Sequence, residues 1–425
     1  MRAVKAARGK AVKVASGKVV GPTLDDFYSA QETLDGVAQE TPVELSRYLS
    51  EVLGQRVSMK CENLQRTGSY KIRGAYNRMS KLTPDERAKG VVAASAGNHA
   101  QGVAFAAREL GIKATIFTPI GVALPKLQAT RAYGAEVVLS GHNIIEPLQK
   151  AQEFSESTGA IRIPPFDHPD VIAGQGTVGL EILSQVPDVT TVIVPIGGGG
   201  LMAGVSSAIK QKAWELGKTV KIIGVQAENA AAYPPSLKAG HPVEVTVGST
   251  ICDGIAVQKP GILNFDIIEA MVDEVVTVSD DDTARAILVL LERAKMVVEP
   301  AGAVGVAAIL AGKIRATGPT VVILSGGNID PMIMERVISR GMAGAGRYMK
   351  MRIPLPDRPG QLAETSKIVA DQNANVVEVL HTRHGTGLQI SQVELELHIE
   401  TRGPEHAEQV LQALRDHGYE PRVDF

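Results

Sequence analysis

Short runs of β-branched and other apolar residues recur along this chain, and they constrain its fold more than any other feature. Between many of them lie Ala-rich stretches with helical spacing, such as residues 100–110. Strands that are apolar throughout and alternate with helices are typical of a mostly parallel sheet covered on both faces. The sequence therefore predicts an α/β fold over residues 23–340. The predicted strands are residues 90–93, 114–117, 136–139, 191–194, 221–225 and 320–324.

The chain changes character near residue 341. Residues 341–346 read Gly-Met-Ala-Gly-Ala-Gly, which predicts a linker. Residues 347–425 then follow the order strand, helix, strand, strand, helix, strand, which is typical of a ferredoxin-like domain. At the other end, Thr23 with Asp25 and Asp26 predicts the start of the first helix. Residues 1–22 are basic without an acidic residue, so we expect a flexible tail, with a targeting segment as the alternative.

The charge balance excludes some classes of partner. The 425 residues carry a formal net charge of −2, which gives no electrostatic basis for binding nucleic acid or an anionic membrane. Cys61 and Cys252 are too few for a disulfide framework, so we expect a reducing, cytoplasmic compartment. No apolar run approaches the length of a membrane span.

Four consecutive glycines, Gly197–Gly200, separate a predicted strand from a predicted helix. Such a loop lets backbone N–H groups wrap around a phosphate, and the helix N-terminus adds positive potential. No acidic residue suited to a dinucleotide ribose lies about 20 residues further on, and the Lys-Ser/Thr pair of a P-loop is absent. The loop therefore predicts a phosphate site without a nucleotide signature, and a plain tight turn is the alternative.

Lys71 stands at the start of an apolar helical run, directly after the small residues Thr67-Gly68-Ser69-Tyr70. A partly desolvated helix N-terminus lowers the pKa of a lysine from its reference of about 10.4. A neutral amine is what Schiff-base chemistry requires. Taken alone, the segment also fits a surface lysine at a helix start.

Two further turns follow predicted strands and carry small polar residues. Residues 95–102 read Ser-Ala-Gly-Asn-His-Ala-Gln-Gly, and residues 325–328 read Ser-Gly-Gly-Asn. The exposed N–H groups of such a turn can hold a carboxylate. Helix N-caps formed by Ser95, Asn98 or Ser325 are the alternative.

Together and in this order, these segments resemble fold-type II pyridoxal-phosphate enzymes, the tryptophan synthase β-like group, and within it the threonine dehydratases. The resemblance runs from about Thr41 to Ile338 and includes residues 250–257 and 298–303. It implies two parallel-rich α/β subdomains and a pyridoxal phosphate carried by Lys71 as a Schiff base. Tyr70 stands where the family usually has Phe, so an aromatic ring is retained.

The resemblance also implies a role for each turn. Asn98 contacts the 3′-oxygen of the cofactor ring, the glycine loop holds the phosphate, and Ser325 hydrogen-bonds the pyridine nitrogen. A hydroxyl is a weak partner for that nitrogen, which favours β-elimination over reactions through a long-lived carbanion. Glu299 lies near the cofactor. The implied cofactor contacts are Tyr70, Lys71, Asn98, Gly197, Gly198, Gly199, Gly200, Leu201, Glu299 and Ser325, and the implied substrate contacts are Ser95, Ala96, Gly97, Asn98 and His99.

Position 96 distinguishes between relatives. Similar serine racemases carry a Ser directly before the Gly-Asn pair, where it acts as a second base on the opposite face of the substrate. This chain has Ala96, which leaves Lys71 as the base and favours a lyase. Glu228 resembles a cation-binding position, but Pro234 and Pro235 occupy the region of the expected second carboxylate, so no metal site is predicted.

The C-terminal region resembles an ACT domain, a small ligand-binding regulatory module. Residues 356–362, Pro-Asp-Arg-Pro-Gly-Gln-Leu, carry the resemblance. Gly360 would let a ligand approach the backbone, with Gln361 and Leu362 beside it and Asn375 as a further contact. Isoleucine or valine is the expected effector. Such modules pair across subunits, so we expect a homodimer or homotetramer, and a purely structural dimerisation domain is the alternative.

The resemblance thus implies dehydration and deamination of threonine to 2-oxobutanoate and ammonia, and of serine to pyruvate. The expected pathway role is the first step of isoleucine biosynthesis. A catabolic threonine/serine dehydratase and a serine racemase are the alternatives among enzymes. An amino-acid sensor on an inactive scaffold is the alternative from another class, and the intact Lys71, Asn98, glycine loop and Ser325 weigh against it.

Overall fold

The structure, a computed structural model, describes residues 20–383 and 391–424. Residues 1–19 of the predicted basic tail lie outside the described residues. The chain divides into two compact units, residues 1–333 and 334–425. The helices are α1 (Leu24–Leu34), α2 (Arg47–Leu53), α3 (Lys71–Ser80), α4 (Pro84–Lys89), α5 (Asn98–Leu110), α6 (Leu124–Ala132), α7 (Ile145–Thr158), α8 (Pro169–Gln185), α9 (Gly200–Glu215), α10 (Tyr233–Ala239), α11 (Ile262–Met271), α12 (Asp280–Val289), α13 (Pro300–Leu310), α14 (Pro331–Gly344), α15 (Gln361–Asp371) and α16 (Pro404–Asp416). The strands are β1 (Val43–Leu45), β2 (Val57–Lys60), β3 (Val91–Ala94), β4 (Ala114–Thr118), β5 (Glu136–Leu139), β6 (Ile161–Arg162), β7 (Thr191–Pro195), β8 (Lys221–Ala227), β9 (Glu274–Val278), β10 (Thr320–Ile323), β11 (Tyr348–Pro356), β12 (Asn375–Thr382), β13 (Gln392–Glu400) and β14 (Arg422–Asp424).

The first unit contains two sheets. A six-stranded sheet has the order β1-β2-β10-β7-β8-β9, with all neighbours parallel except the β1–β2 pair. A second sheet has the order β5-β4-β3-β6 and is parallel throughout. Strands β4 and β7 are buried at every residue, as their unbroken apolar runs predict for strands covered on both faces. The predicted parallel-rich α/β fold is therefore confirmed.

The topology gathers the predicted turns at one edge. Strands β2, β10 and β7 are neighbours in the large sheet, and parallel strands end at the same edge. The segment after β2 leads to Lys71, the segment after β10 contains Ser325, and the segment after β7 is the glycine loop. Ligands of open α/β sheets bind outside the carboxyl ends of the strands, which is where these three segments lie.

Glycines allow helix α3, which begins at Lys71, to pack closely against its neighbours. A Cβ at Gly102 on α5 would lie 3.2 Å from the Lys71 carbonyl carbon. A Cβ at Gly174 on α8 would lie 2.4 Å from the Arg73 carbonyl oxygen. Larger residues would separate the three helices, so these glycines keep Lys71 near the loop that precedes α5.

A buried ion cluster fixes α3 from its inner side. The Arg73 guanidinium donates to Glu62 at 2.8 Å and to Glu181 of α8 at 3.0 Å. Lys60 of β2 pairs with the same Glu181 carboxylate. Burial alone would raise the pKa of Glu62, but the Arg73 guanidinium holds that pKa below its ordinary value. The cluster thus joins β2, α3 and α8 just behind Lys71.

The second unit contains most of α14, an antiparallel sheet of order β12-β13-β11-β14, and the helices α15 and α16. Residues of β11 and β13 alternate between buried and half-buried, because one face of the sheet packs on the helices. The element order confirms the predicted ferredoxin-like pattern. One local expectation is wrong: residues 341–344 of the predicted linker form the end of α14. Glycine costs a helix only about 1 kcal/mol per residue, and Met342 and Ala343 favour it.

Candidate active site

The loop before Lys71 has an unusual backbone. Thr67 and Gly68 both lie in the left-handed region, at φ values of 65° and 71°. For Thr67 this conformation costs roughly 1 kcal/mol, so the surrounding contacts must hold it. A Cβ at Gly68 would lie 2.3 Å from Asn328 Oδ1, so glycine is required where the loop passes over that side chain. The chain then enters α3 at Lys71.

The Lys71 side chain is half-buried, and the loss of solvent around its amine favours the neutral form. Nζ donates a hydrogen bond of 2.9 Å to the carbonyl oxygen of Pro165. Burial lowers the pKa of Lys71 to about 8, opposed by the negative charge of Glu299. The Tyr70 ring lies 5.4 Å from Nζ. More of the amine is therefore uncharged near neutral pH than in an ordinary lysine.

Three polar side chains from separate loops form a chain of hydrogen bonds beside Lys71. Asn328 Nδ2 donates to the Thr67 carbonyl oxygen at 2.7 Å and to Asn98 Oδ1 at 2.8 Å. Asn98 Nδ2 in turn donates to Glu299 Oε1 at 2.6 Å. Burial, aided by Asp253, raises the pKa of Glu299 to about 7. The amide of Asn98 is therefore held at both ends, and its remaining N–H can serve a ligand.

The Ser325 loop lies against the Lys71 loop. The Tyr70 N–H donates to the Ser325 carbonyl oxygen at 3.3 Å, and Ser69 and Gly326 form an antiparallel bridge. Gly326 approaches Glu299 so closely that a Cβ there would lie 2.3 Å from Oε1. Ser325 itself is buried. The sequence-predicted residues Tyr70, Lys71, Asn98, Glu299 and Ser325 are thus brought together.

The glycine loop provides backbone donors without protein acceptors. Within the described part of the chain, the N–H groups of Gly197, Gly198 and Gly199 donate to no protein atom. Helix α9 begins at Gly200, so the N–H groups of Gly200 and Leu201 belong to its first turn and lack intrahelical partners. These N–H groups are therefore available as donors to an anion at the loop where the sequence predicts a phosphate site.

The polar groups of this site fit pyridoxal phosphate. The acceptor-free N–H groups match its phosphate, and the Lys71 amine, whose lowered pKa makes its neutral form accessible, matches its aldehyde. The hydroxyls of Thr67 and Ser69 are buried without a hydrogen-bond partner among the described residues. Buried hydroxyls normally have one, so the segment next to Lys71 is suited to a polar ligand.

The predicted substrate loop leads from β3 into α5. Ser95, Ala96, Gly97 and Asn98 are half-buried, and Ser95 Oγ accepts from the Gly97 N–H at 3.2 Å. The N–H groups at the start of α5 can therefore receive a carboxylate. His99 differs from its neighbours because it is buried and its Nε2 lies 2.9 Å from the Ile163 carbonyl oxygen. Burial and the nearby Lys71 lower the pKa of His99 to about 3, so its imidazole is neutral.

Several residues of the site carry no motif in the sequence. The Pro165 carbonyl receives the Lys71 amine, and the Phe166 ring lies where a Cβ of Gly198 would fall, at 2.4 Å. Neither residue lies in a segment with a recognisable pattern. Asn328 does follow the Ser325 turn, so its position was visible, but its bond to Asn98 was not. Glu228, the residue with cation-site resemblance, pairs with Lys313 at 3.3 Å.

The second unit contains the predicted regulatory residues. Gly360 adopts a φ of 95° just before α15, and a Cβ there would meet no atom within 4 Å. Gln361 and Leu362 form the first turn of α15, and Leu362 is exposed. Asn375 begins β12 and donates to Glu400 at 3.2 Å. Gly360 thus leaves an open helix N-terminus at the turn.

The fold and this constellation of lysine, asparagine, glycine loop and serine define a pyridoxal-phosphate-dependent enzyme of fold type II. Comparison with known families agrees, because residues 34–326 match the model of the pyridoxal-phosphate-dependent enzymes. The chain belongs to this family, and its cofactor is pyridoxal phosphate. Residues 352–418 match the ACT domain.

Similar proteins point to one branch of the family. The chain is 48% identical to L-threonine ammonia-lyase of Thermotoga maritima over 402 residues, 94% of this chain and 99% of that protein. It is 46% identical to the catabolic L-threonine dehydratase of Escherichia coli strain K12 over 310 residues, 72% of this chain and 93% of that protein.

Solved structures resemble about three quarters of the chain. The T.th. threonine deaminase superposes with a TM-score of 0.68 at 40% identity, covering 73% of this chain and 99% of that one. Maize serine racemase superposes with a TM-score of 0.71 at 33% identity, covering 76% and 98%. The fold therefore does not separate lyase from racemase, and the distinction depends on individual residues.

None of the described helices combines the length and apolarity needed to cross a membrane. Across residues 20–383 and 391–424, no group of three or more His, Cys, Asp or Glu side chains is arranged to hold a metal ion.

Proposed function

We propose that this chain is a threonine ammonia-lyase that converts L-threonine to 2-oxobutanoate and ammonia, and L-serine to pyruvate and ammonia. The observation that carries the proposal is the half-buried Lys71 amine, whose pKa is lowered to about 8. It feels the charge of Glu299, which is hydrogen-bonded to Asn98, and its loop contacts the Ser325 loop. The 48% identity to an L-threonine ammonia-lyase over nearly the whole chain supports the substrate.

Each residue has a definite task in this reaction. When bound, pyridoxal phosphate supplies an electron-withdrawing ring that acidifies the substrate Cα–H. Lys71 Nζ takes that proton as general base, and the β-hydroxyl takes up a proton and leaves as water. The resulting enamine hydrolyses with one water molecule to the 2-oxo acid and ammonia. The cofactor and substrate contacts are those assigned from the family resemblance.

The orientation of the reacting groups depends on two loops. The N–H groups at the start of α5 receive the substrate carboxylate, and Asn98 presents its free amide N–H to the ring oxygen. Ser325 supplies a hydroxyl to the pyridine nitrogen. The N–H groups of Gly197–Leu201 hold the phosphate. His99 supports the loop through Ile163, which places it behind the substrate contacts.

Ala96 favours the lyase over a serine racemase. A racemase must return a proton to the face opposite Lys71, and a methyl group at position 96 cannot donate one. The Lys71 amine serves one face only, so elimination remains possible while inversion lacks its second acid.

The second unit supports a regulated, biosynthetic enzyme. We propose that isoleucine or valine binds beside Gly360, Gln361, Leu362 and Asn375. The activity of the enzyme would then respond to the end product of isoleucine biosynthesis. The catabolic dehydratase of Escherichia coli aligns with only 310 residues of this chain, whereas the Thermotoga maritima enzyme aligns with 402. The ACT domain also supports a homodimer or homotetramer. Cys61 and Cys252 are free and buried, which supports the predicted reducing cytoplasmic compartment.

The test is an assay of 2-oxobutanoate formed from L-threonine by the full-length protein supplied with pyridoxal phosphate. We expect turnover by a yellow protein, and a colourless, inactive Lys71→Ala variant. Lys113→Ala is the matched control, because the Lys113 side chain is 76% exposed and pairs only at the surface. Activity in Lys71→Ala equal to that of the parent chain would contradict the proposal. Turnover of serine but not threonine would move the assignment to a serine dehydratase.

A further inference from the structure

The carbonyl oxygen of Gly198, in the middle of the glycine loop, accepts three hydrogen bonds. Tyr233 Oη donates to it at 3.2 Å, Asn264 Nδ2 at 3.1 Å and the Gly261 N–H at 3.1 Å. A carbonyl oxygen has two lone pairs, so three donors saturate it. The direction of this carbonyl is therefore fixed from the side of the loop that faces α10 and α11.

The two side-chain donors have no other hydrogen-bonding task among the described residues. Tyr233 and Asn264 are both 0% exposed. The hydroxyl of Tyr233 has the Gly198 oxygen as its partner, and Asn264 Oδ1 has no partner in the described part of the chain. Burying an amide whose oxygen is unpaired costs about 1–3 kcal/mol. The hydrogen bond that Asn264 donates to the Gly198 oxygen explains why an asparagine occupies this buried position.

Both donors are themselves held in place. The Tyr233 N–H donates to Gln226 Oε1 at 2.9 Å. Asn264 lies in the first turn of α11, whose N–H groups donate to the Asp167 carboxylate at distances from 2.9 to 3.3 Å. The donors therefore approach Gly198 from rigid positions.

Without these donors, the orientation of the peptide between Gly198 and Gly199 would be poorly fixed. Neither residue has a Cβ, so this peptide plane can rotate far more freely than an ordinary one. Gly199 already adopts a φ of 107°, and a Cβ there would lie 2.1 Å from the Tyr233 hydroxyl. In a trans peptide the N–H points opposite to the carbonyl, so fixing the Gly198 oxygen also fixes the direction of the Gly199 N–H.

We propose that Tyr233 and Asn264 are positioning residues that lock the Gly198–Gly199 peptide so that the Gly199 N–H faces the cofactor phosphate. In the opposite orientation, the peptide would present its carbonyl oxygen to the phosphate and remove one of its donors. Burial and the nearby Asp167 raise the pKa of Tyr233, which keeps its hydroxyl a donor at all physiological pH values. The inference depends on the cofactor and is independent of whether threonine or serine is the substrate.

The experiment compares two ligands that differ by the phosphate alone. The dissociation constants of pyridoxal phosphate and pyridoxal are measured on the full-length apoprotein of the parent chain, Tyr233→Phe and Asn264→Leu. Tyr233→Phe removes one oxygen, and Asn264→Leu keeps the volume without leaving a protein donor unpaired. We expect each variant to weaken pyridoxal phosphate by about threefold to tenfold, the scale of one hydrogen bond, with pyridoxal changed by less than about twofold.

The matched control is Tyr133→Phe, a ring that packs on Phe105 away from the glycine loop. It should leave both dissociation constants unchanged. The ³¹P chemical shift of the bound cofactor should move in Tyr233→Phe and Asn264→Leu and stay in place in Tyr133→Phe. Equal weakening of both ligands, or an unchanged ratio of their affinities, would overturn the proposal. Loss of folding in both variants would assign the two side chains to the core and overturn it as well.

Discussion

At the scale of single residues, the most informative group is the Lys71 amine. Its environment combines burial, which disfavours the charge, with a carboxylate, which favours it, and burial prevails. The same burial raises the pKa of Glu299 to about 7. The two groups therefore titrate close to neutral pH, the range in which a general base is most useful.

The first prediction concerns the pH dependence of cofactor uptake. A lysine pKa lowered to about 8 means that the reactive neutral amine accumulates as pH rises through about 8. We expect the rate at which pyridoxal phosphate bonds to the full-length apoprotein to rise with a midpoint near pH 8. Stopped-flow absorbance across the neutral and alkaline range measures it.

Glu299 provides an internal control for this midpoint. Its negative charge raises the Lys71 pKa, so Glu299→Gln should move the midpoint to lower pH. A midpoint near the free-lysine value of about 10.4 would show that Lys71 is not desolvated in solution.

A second prediction at this scale concerns Ala96. The parent chain should form no D-serine from L-serine, because the face opposite Lys71 has no acid at position 96. Ala96→Ser should produce detectable D-serine and retain elimination, as measured by chiral chromatography. Ala94→Ser, at the end of β3, is the matched control and should not racemise. D-serine formation by the parent chain would show that another residue serves as the second acid.

At the scale of secondary-structure elements, helix α3 depends on charges buried behind it. Arg73 is 1% exposed and bridges Glu62 and Glu181, so its removal leaves buried carboxylates without their main partner. Removing one member of such a cluster destabilises a protein by about 3–5 kcal/mol.

We therefore predict that Arg73→Met lowers the free energy of unfolding by about 3–5 kcal/mol. Arg56→Met is the matched control: Arg56 pairs with Asp188, but their side chains are 48% and 60% exposed. Exposed pairs contribute about 0–1 kcal/mol. Urea denaturation of the three proteins measures both values. Equal stability of Arg73→Met and the parent chain would show that the cluster is dispensable.

The elements differ in how far the sequence predicts them. The apolar runs of β4, β7, β8 and β10 identify these strands, because a strand buried on both faces is predominantly apolar and does not alternate with polar residues. Strand β2 was not predicted, although all four of its residues are buried. It contains Lys60, a charged residue that interrupts the apolar pattern expected of a buried strand. The charge is accommodated by pairing with Glu181, a contact that the sequence does not reveal.

The residues of the candidate site also differ in how far the sequence predicts them. Asn98, the glycine loop and Ser325 lie in turns after apolar strands, and Lys71 stands at a helix start after small residues, so local turn chemistry made them visible. Pro165 and Phe166 reach the site only through packing of distant segments. Tyr233 and Asn264 act on a backbone carbonyl, which carries no sequence signal.

At the scale of the whole molecule, the second unit is where regulation is expected. Isoleucine or valine should bind the full-length protein and change its rate with threonine, and calorimetry with parallel rate measurements tests both. Gly360→Ala should weaken this response, because a Cβ at a φ of 95° is strained at the proposed ligand turn.

Gly418→Ala is the matched control for this substitution. Gly418 lies in the same unit with a φ of 82° and equally open surroundings, so it incurs a similar backbone strain. It should leave the response intact. No heat and no change in rate with either amino acid would leave the second unit a structural module.

The pairing of β2 with β10 also has a consequence for biosynthesis of the protein itself. Val57 aligns with Thr320, so two neighbouring strands are separated by about 260 residues of chain. During translation, the Lys71 loop leaves the ribosome long before the strand and the Ser325 loop that cover it. Until β10 has been synthesised, the nascent chain therefore exposes the edge of β2 that β10 will cover. Intermediates with an unpaired strand edge tend to aggregate or to bind chaperones. We expect cofactor capture to occur only after the first unit has been synthesised in full.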